Sequence, residues 1–230
     1  MEIAENIRKI RDEISRAALT AGREPSAIKL LAATKMNDAS RVRQAIDAGI
    51  DICGENRVQE MLEKQAQSAY EGCPLHFIGH LQKNKVKQVV GLAELIHGVH
   101  DKALLEAIDK EAAKKGMVQD VLLEINIGAE ESKSGFSPDE ISEILAFAST
   151  LKAVRVRGLM TIPPICQNSA ENRPYFARME QLFIDNSGKK YDNVSMDFLS
   201  MGMSGDYTEA VAFGANILRL GSAIFGPRVY

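Results

Sequence analysis

A TIM-type (β/α)8 barrel with one extra helix at its N-terminus is the fold this sequence predicts, and three observations predict it. Short apolar runs alternate with amphipathic stretches from end to end, giving eight strands separated by helices, a pattern that implies parallel strands with right-handed crossovers. The length of 230 residues is close to the roughly 250 usual for such barrels. An open doubly wound sheet, the competing architecture, would carry a glycine-rich fingerprint after its first strand; here Ala33-Thr34-Lys35-Met36-Asn37 follows instead.

Residues 2–21 repeat apolar side chains at Ile3, Ile7, Ile10, Ile14 and Leu19, a helical period stopped by Gly22. The run 28–35 reads as a buried parallel strand closed by Lys35. Asp38 and Ser40 cap the next helix, which ends at Gly49. Strands at 51–56 and 75–80 flank a helix at 57–69, and a short helix at 84–92 precedes a strand at 95–99. Asp101 caps a helix through Lys115, with Gly116 as its stop, and 120–127 is the fifth strand. Ser137-Pro138-Asp139-Glu140 is a helix start, with proline at the first helical position and acids where the helix dipole favours them. The strand at 154–161 ends before Pro163-Pro164 and leads to a helix at 171–184. The last units are a strand at 198–201, a helix at 206–213 and a strand at 217–220. No linker or low-complexity tract interrupts the series, so one domain is expected.

Hydrophobic residues make up 45% of the chain and charged residues 26%, an ordinary globular composition. The net charge of -3 lacks the basic surplus that phosphate-backbone binding needs, so nucleic acid is not an expected partner. Acids in the first residues argue against a signal peptide, and no apolar stretch approaches membrane-spanning length. Cys53, Cys73 and Cys166 are scattered, odd in number and without metal-type spacing. His76, His80, His97 and His100 form no helical pair bracketing a glutamate, so no zinc site is expected. A reducing cytoplasm is the expected location.

Lys35 ends its strand where α/β proteins bind ligands, and a partly desolvated amine there suits a Schiff base to an aldehyde. A strand-end lysine that only reaches solvent is the plainer alternative. Barrels commonly build a phosphate cradle from the loops after strands seven and eight. Here those loops read Ser200-Met201-Gly202-Met203-Ser204-Gly205-Asp206 and Gly221-Ser222-Ala223, whose small residues let backbone amides approach an anion. Arg219 shares a strand face with Gly221, one layer deeper. A guanidinium buried there needs an acceptor: a ligand's ring nitrogen, a carboxylate, or an internal partner such as Glu55 or Glu124.

The motifs Ala32-Ala33-Thr34-Lys35, Gly54-Glu55-Asn56, 77–84, 132–135, Arg157-Gly158-Leu159-Met160, 199–204 and 219–226 resemble, in order and spacing, those of the pyridoxal 5'-phosphate homeostasis proteins. These are small single-domain relatives of the alanine racemase barrel, and the likeness spans nearly the whole chain. It departs mildly at Ser222, where a threonine is frequent. The resemblance implies one pyridoxal phosphate-binding barrel over residues 1–230, with Lys35 holding the cofactor as a Schiff base. It also implies that Ser200, Ser204, Gly221 and Ser222 bind its phosphate, that Arg219 donates to the pyridine nitrogen, and that Asn56 and Met201 line the pocket.

Arginine only donates, so the ring nitrogen opposite Arg219 must accept and stay unprotonated, which makes a poor electron sink. Alanine racemases also bring a tyrosine base from a second domain; of Tyr70, Tyr175, Tyr191, Tyr207 and Tyr230, none lies in a matching motif. The expected role is therefore a monomeric carrier or buffer in vitamin B6 homeostasis, with pyridoxal phosphate-dependent apoenzymes as partners. A low-activity amino-acid racemase and a sugar-phosphate enzyme without the Schiff base are the rivals. Lys133, on the loop after strand five, is a candidate transient second landing site. The basic stretch from His80 to Lys87 reads as a solvated face or an anion contact, and the pair Met201 and Met203 as core filler or cofactor packing.

Overall fold

The computed structural model describes residues 2–227. Its eight strands are β1 (Lys29–Ala33), β2 (Ile52–Glu55), β3 (Leu75–Phe77), β4 (Leu95–Val99), β5 (Gln119–Glu124), β6 (Val154–Met160), β7 (Val194–Ser200) and β8 (Ile217–Leu220). All neighbours pair in parallel, and β8 closes onto β1 through Lys29↔Ile217 and Leu31↔Arg219. The expected barrel and its N-terminal helix are both present.

That helix, α1 (Glu2–Thr20), buries Ile3, Ile7, Ile10, Ile14 and Ala18. Leu19, read as part of the apolar face, is instead 68% exposed. The spacing explains this: the fourth residue beyond Ile14 is Ala18, and the fifth turns away from the core.

Helices α2 (Ala39–Asp47), α3 (Val58–Ala66), α4 (Val86–Val89), α5 (Lys102–Lys114), α6 (Ile141–Ala148), α7 (Arg173–Ser187) and α8 (Tyr207–Ala212) link the strands. Asp38 and Asp101 cap α2 and α5 through the amides of Arg41 and Leu104. Ser137 and Glu140 form the capping box of a short 3-10 turn before α6. The segment 221–223, read as loop, instead opens the single helical turn α9 (Ser222–Phe225).

Two apolar layers result. Inside the barrel pack Leu31, Ala33, Ile52, Leu95, Leu122, Met160 and Ile217, while a larger cluster fills the space between barrel and helices. Strand ends differ from expectation where side chains intercept the ladder. β1 stops at Ala33, short of Lys35, because the Thr34 carbonyl accepts from Lys64 Nζ at 2.7 Å. β7 begins four residues earlier than expected, since Asp197, polar in the sequence, accepts from both Ser195 Oγ and Arg157 Nε.

Candidate functional site

At the C-terminal ends of the strands a cavity of about 820 Å³ opens, and its wall brings together Lys35, Asn56, Ser204, Arg219, Gly221 and Ser222. The alternation read from the sequence holds: Arg219 and Gly221 both face inward. Among the described residues Lys35 is the one lysine on this wall.

The segment bearing Lys35 is fixed from behind by α3 and β2. Thr34 Oγ1 donates to the fully buried Glu55 carboxylate, which also accepts from Lys64 and from the Tyr70 hydroxyl at 3.1 Å. Beyond Lys35 the chain turns through Met36, whose φ of 60° lies in the left-handed region. The Met36 amide is held by Glu60 Oε2 at 2.7 Å. Such a conformation in a residue with a side chain persists only when its surroundings impose it.

On the opposite wall, Ser204 Oγ accepts from the amides of Gly221 and Ala223, each at 3.2 Å. The loop that presents Ser204 is pinned by Asp206, whose carboxylate accepts from the Met203 amide and from Asn172 Nδ2, both at 2.7 Å. Gly202, at φ 91°, makes the bend, and a Cβ there would lie 2.7 Å from that of Ala210.

Arg219 forms the floor, 5% exposed. Its guanidinium donates to Ser200 Oγ at 2.7 Å and to the Thr161 carbonyl at 2.8 Å. The internal acceptors considered from sequence are not its hydrogen-bond partners: Glu55 is engaged by Lys64, and Glu124 acts only through its charge. Burial pushes the Arg219 pKa down to about 10, with Glu124 and Asp206 opposing. Because arginine only donates, the Ser200 proton is left for His97 Nδ1 at 3.0 Å, and His97 Nε2 then donates to His76 Nδ1 at 3.0 Å. Burial holds both imidazoles neutral, lowering His97 well below its ordinary value and His76 to about 4.

Two expected site residues lie elsewhere. Ser200 is fully buried beneath the cavity, in register with Ile217, its hydroxyl committed to Arg219 and His97. Met201 is not on the cavity wall: it faces the layer between barrel and helices, and Met203 takes the place expected of it. The bend at Gly202 resets the strand's alternation and separates the two methionines.

Arg41, which sequence reasoning missed, also lines the cavity. It bonds the Asn37 side chain and the Phe225 carbonyl, tying α2 to the end of α9. Lys133 lies off the cavity wall, with its ammonium 2.6 Å from Glu130 and donating to the Pro163 carbonyl at 3.0 Å. Lys83, Lys85 and Lys87 are exposed, and His80 stacks on His100 with ring centroids 4.2 Å apart. Among the described residues no cluster could hold a metal ion, and no helix is long and apolar enough to cross a membrane.

The closed barrel with a lysine and a serine–glycine cradle at its open end defines a small-ligand binding protein of the TIM-barrel class. Residues 2–229 match the family described as alanine racemase, N-terminal domain. The pyridoxal phosphate homeostasis protein of Aquifex aeolicus is 41% identical over 230 residues, covering 100% of both chains. A protein of unknown function from Bifidobacterium adolescentis superposes with a TM-score of 0.90 at 35% identity, over 97% of this chain and 94% of that one. PipY of Synechococcus elongatus, solved with pyridoxal phosphate bound, gives 0.83 at 32% identity, over 97% and 100%. The chain belongs to the pyridoxal phosphate homeostasis protein family, built on the alanine racemase N-terminal barrel.

Proposed function

We propose that this protein binds pyridoxal 5'-phosphate as a Schiff base on Lys35 and serves as an intracellular buffer or carrier of it. One observation carries the reading: Lys35, the one lysine on the cavity wall among the described residues, shares that wall with the Ser204–Gly221 cradle and with Arg219. The residues present fit the group. Asn56 Oδ1 is buried without a hydrogen-bond partner on the same wall, an acceptor that a ligand hydroxyl would satisfy. The cofactor supplies an aldehyde that condenses reversibly with an amine, releasing water.

The protein's own groups do the rest. Lys35 Nζ provides the amine from a backbone clamped on both sides. Ser204 Oγ, accepting from the Gly221 and Ala223 amides, would turn its own proton to the phosphate, and the Ser222 hydroxyl would donate beside it. Arg219, already a donor to Ser200 and Thr161, keeps further N–H groups, one of which would donate to the ring nitrogen. A donor of this kind leaves that nitrogen unprotonated, which favours holding and exchange over carbanion chemistry. Tyr70 is tied to Glu55 and Tyr207 to Glu13, and Tyr175 and Tyr191 pack against the core away from the wall, placements that support a carrier rather than a racemase. Tyr230 lies outside the described residues. Single-domain organisation over 1–230, a monomeric state, residence in the cytoplasm and delivery to apoenzymes belong to the same proposal.

The test is the absorption spectrum of protein saturated with pyridoxal phosphate, then borohydride reduction and peptide mapping. A visible band lost in Lys35→Ala and a label on the Lys35 peptide are expected. Label on another peptide, or no label, overturns the reading.

A further inference from the structure

We propose that Cys53 and Cys73 form a reversible disulfide, driven by a small neutral hydroperoxide, at the end of the barrel opposite the Lys35 cavity. The two are 20 residues apart in sequence, which is why no cysteine motif announces them. In the fold, Cys53 on β2 lies fully buried, and Cys73, in the loop leading to β3, sits with its Sγ 3.7 Å from that of Cys53. Cys166 has its own contact with Asn172 on the loop after β6 and takes no part.

The local backbone holds the pair in register. The Cys53 amide donates to the Pro74 carbonyl at 2.8 Å, and the Cys73 amide to the Tyr70 carbonyl at 3.0 Å. A disulfide requires sulfurs about 2.05 Å apart, so ~1.7 Å of closure is needed. Cys73 is the more exposed of the two and lies in the loop before β3, so the movement falls to its side chain.

The thiols are unequal. Cys73 lines a second cavity, of about 300 Å³, open to the surface, whereas Cys53 lies behind it. The Cys53 S–H donates to the Cys73 sulfur, and that bond lowers the Cys73 pKa against the opposing effects of burial and of Asp51 and Glu94. The same bond and burial raise Cys53. Cys73 is thus the attacking thiolate and Cys53 the resolving thiol. Glu71 and Glu94 line the same cavity and repel anionic oxidants such as glutathione disulfide, selecting an uncharged one.

The chemistry balances in two steps. Cys73 thiolate attacks a peroxide oxygen, the O–O bond breaks, and the hydroxide or alkoxide leaving group takes a proton, giving the sulfenic acid. Cys53 sulfur then attacks the Cys73 sulfur; its proton and the sulfenic hydroxyl leave as water. A dithiol reductant restores both thiols by exchange.

The experiment treats the purified full chain with hydrogen peroxide, blocks free thiols with an alkylating agent and maps peptides without reduction. A Cys53–Cys73 cross-linked peptide forming ahead of any Cys166 oxidation is expected, with glutathione disulfide at least tenfold slower. In Cys53→Ala, a dimedone adduct should appear on Cys73 in place of the cross-link. In Cys73→Ser, Cys53 should stay alkylatable once the protein is unfolded. Cys166 oxidising first, or Cys53 and Cys73 both remaining free in the wild-type protein, overturns the proposal, and the wild-type map decides even if a variant does not fold.

Discussion

Lys64 on α3 donates from its ammonium to the carbonyl oxygen of Thr34, 30 residues earlier in the chain, at 2.7 Å. The same nitrogen pairs with the fully buried Glu55 carboxylate, and the Lys64 side chain is 7% exposed. The last peptide before Lys35 is therefore gripped by a buried charge rather than by the sheet. Lys64→Met leaves Glu55 buried and uncompensated, a change that costs about 3–5 kcal/mol. Urea denaturation should show that loss, and Lys64→Met combined with Glu55→Leu should recover part of it, because an apolar pair in place of a buried ion pair is often neutral while the Tyr70 hydroxyl loses its acceptor. Where the single variant folds, pyridoxal phosphate should bind more weakly, since the Lys35 backbone is freed on one side.

Ser204→Ala tests the cradle apart from the amine. Removing the hydroxyl leaves the Gly221 and Ala223 amides without their present acceptor. One lost hydrogen bond of this kind is worth about 1 kcal/mol in stability. Affinity for pyridoxal phosphate should fall roughly tenfold, about 1.4 kcal/mol, while borohydride still places the label on Lys35. Titration of the visible band measures the first and peptide mapping the second; an unchanged affinity would remove Ser204 from the cradle.

The residues that the sequence made legible are those whose role depends on position along one strand. Lys35, Arg219 and Gly221 face the cavity because alternation is a local property, and the loops after β7 and β8 announce themselves through small residues. Parity fails once the strand ends: β7 stops at Ser200 and Gly202 bends at φ 91°, so Met201 and Met203 go to opposite sides. Depth along the barrel was also hidden, which is why Ser200 reads as a phosphate donor yet lies under Arg219. A helix of four residues such as α9 has too few turns for a period. The Glu55–Lys64–Thr34 cluster and the Cys53–Cys73 pair depend on chain crossings that no spacing in the sequence records.

Acid should destabilise the fold through the barrel's buried histidines. His76, with an ordinary value of 6.5 in the unfolded chain, is lowered to about 4 in the fold by burial, and His97 shifts the same way. Between those values the unfolded chain binds more protons than the folded one, so stability rises with pH across the window from about 4 to about 6.5. For His76 alone the loss on acidification is on the order of 3 kcal/mol. Glu124, whose pKa is raised by burial, has the opposite slope above its ordinary 4.5 and partly offsets this. Denaturation midpoints measured through that window should fall with acid, and His76→Leu should flatten the dependence; a slope unchanged in the variant would assign the effect to other groups.

Gly79 couples the stability of the fold to the cavity wall. A Cβ at this position would lie 2.0 Å from the Asn56 carbonyl oxygen and 2.7 Å from its Cα. These are backbone atoms, which cannot rotate aside as a side-chain tip can, so Gly79→Ala must displace either the segment after β3 or the end of β2. Overpacking of this kind costs about 1–3 kcal/mol. Asn56 moves with its own backbone, taking its unpartnered Oδ1 from the wall, so affinity for pyridoxal phosphate should drop together with the melting temperature. Gly205→Ala is the control, since a Cβ there meets nothing within 4 Å, and it should leave stability unchanged. If Gly79→Ala instead binds the cofactor as tightly as the unaltered protein while losing stability, the close approach of these two segments matters to the fold alone.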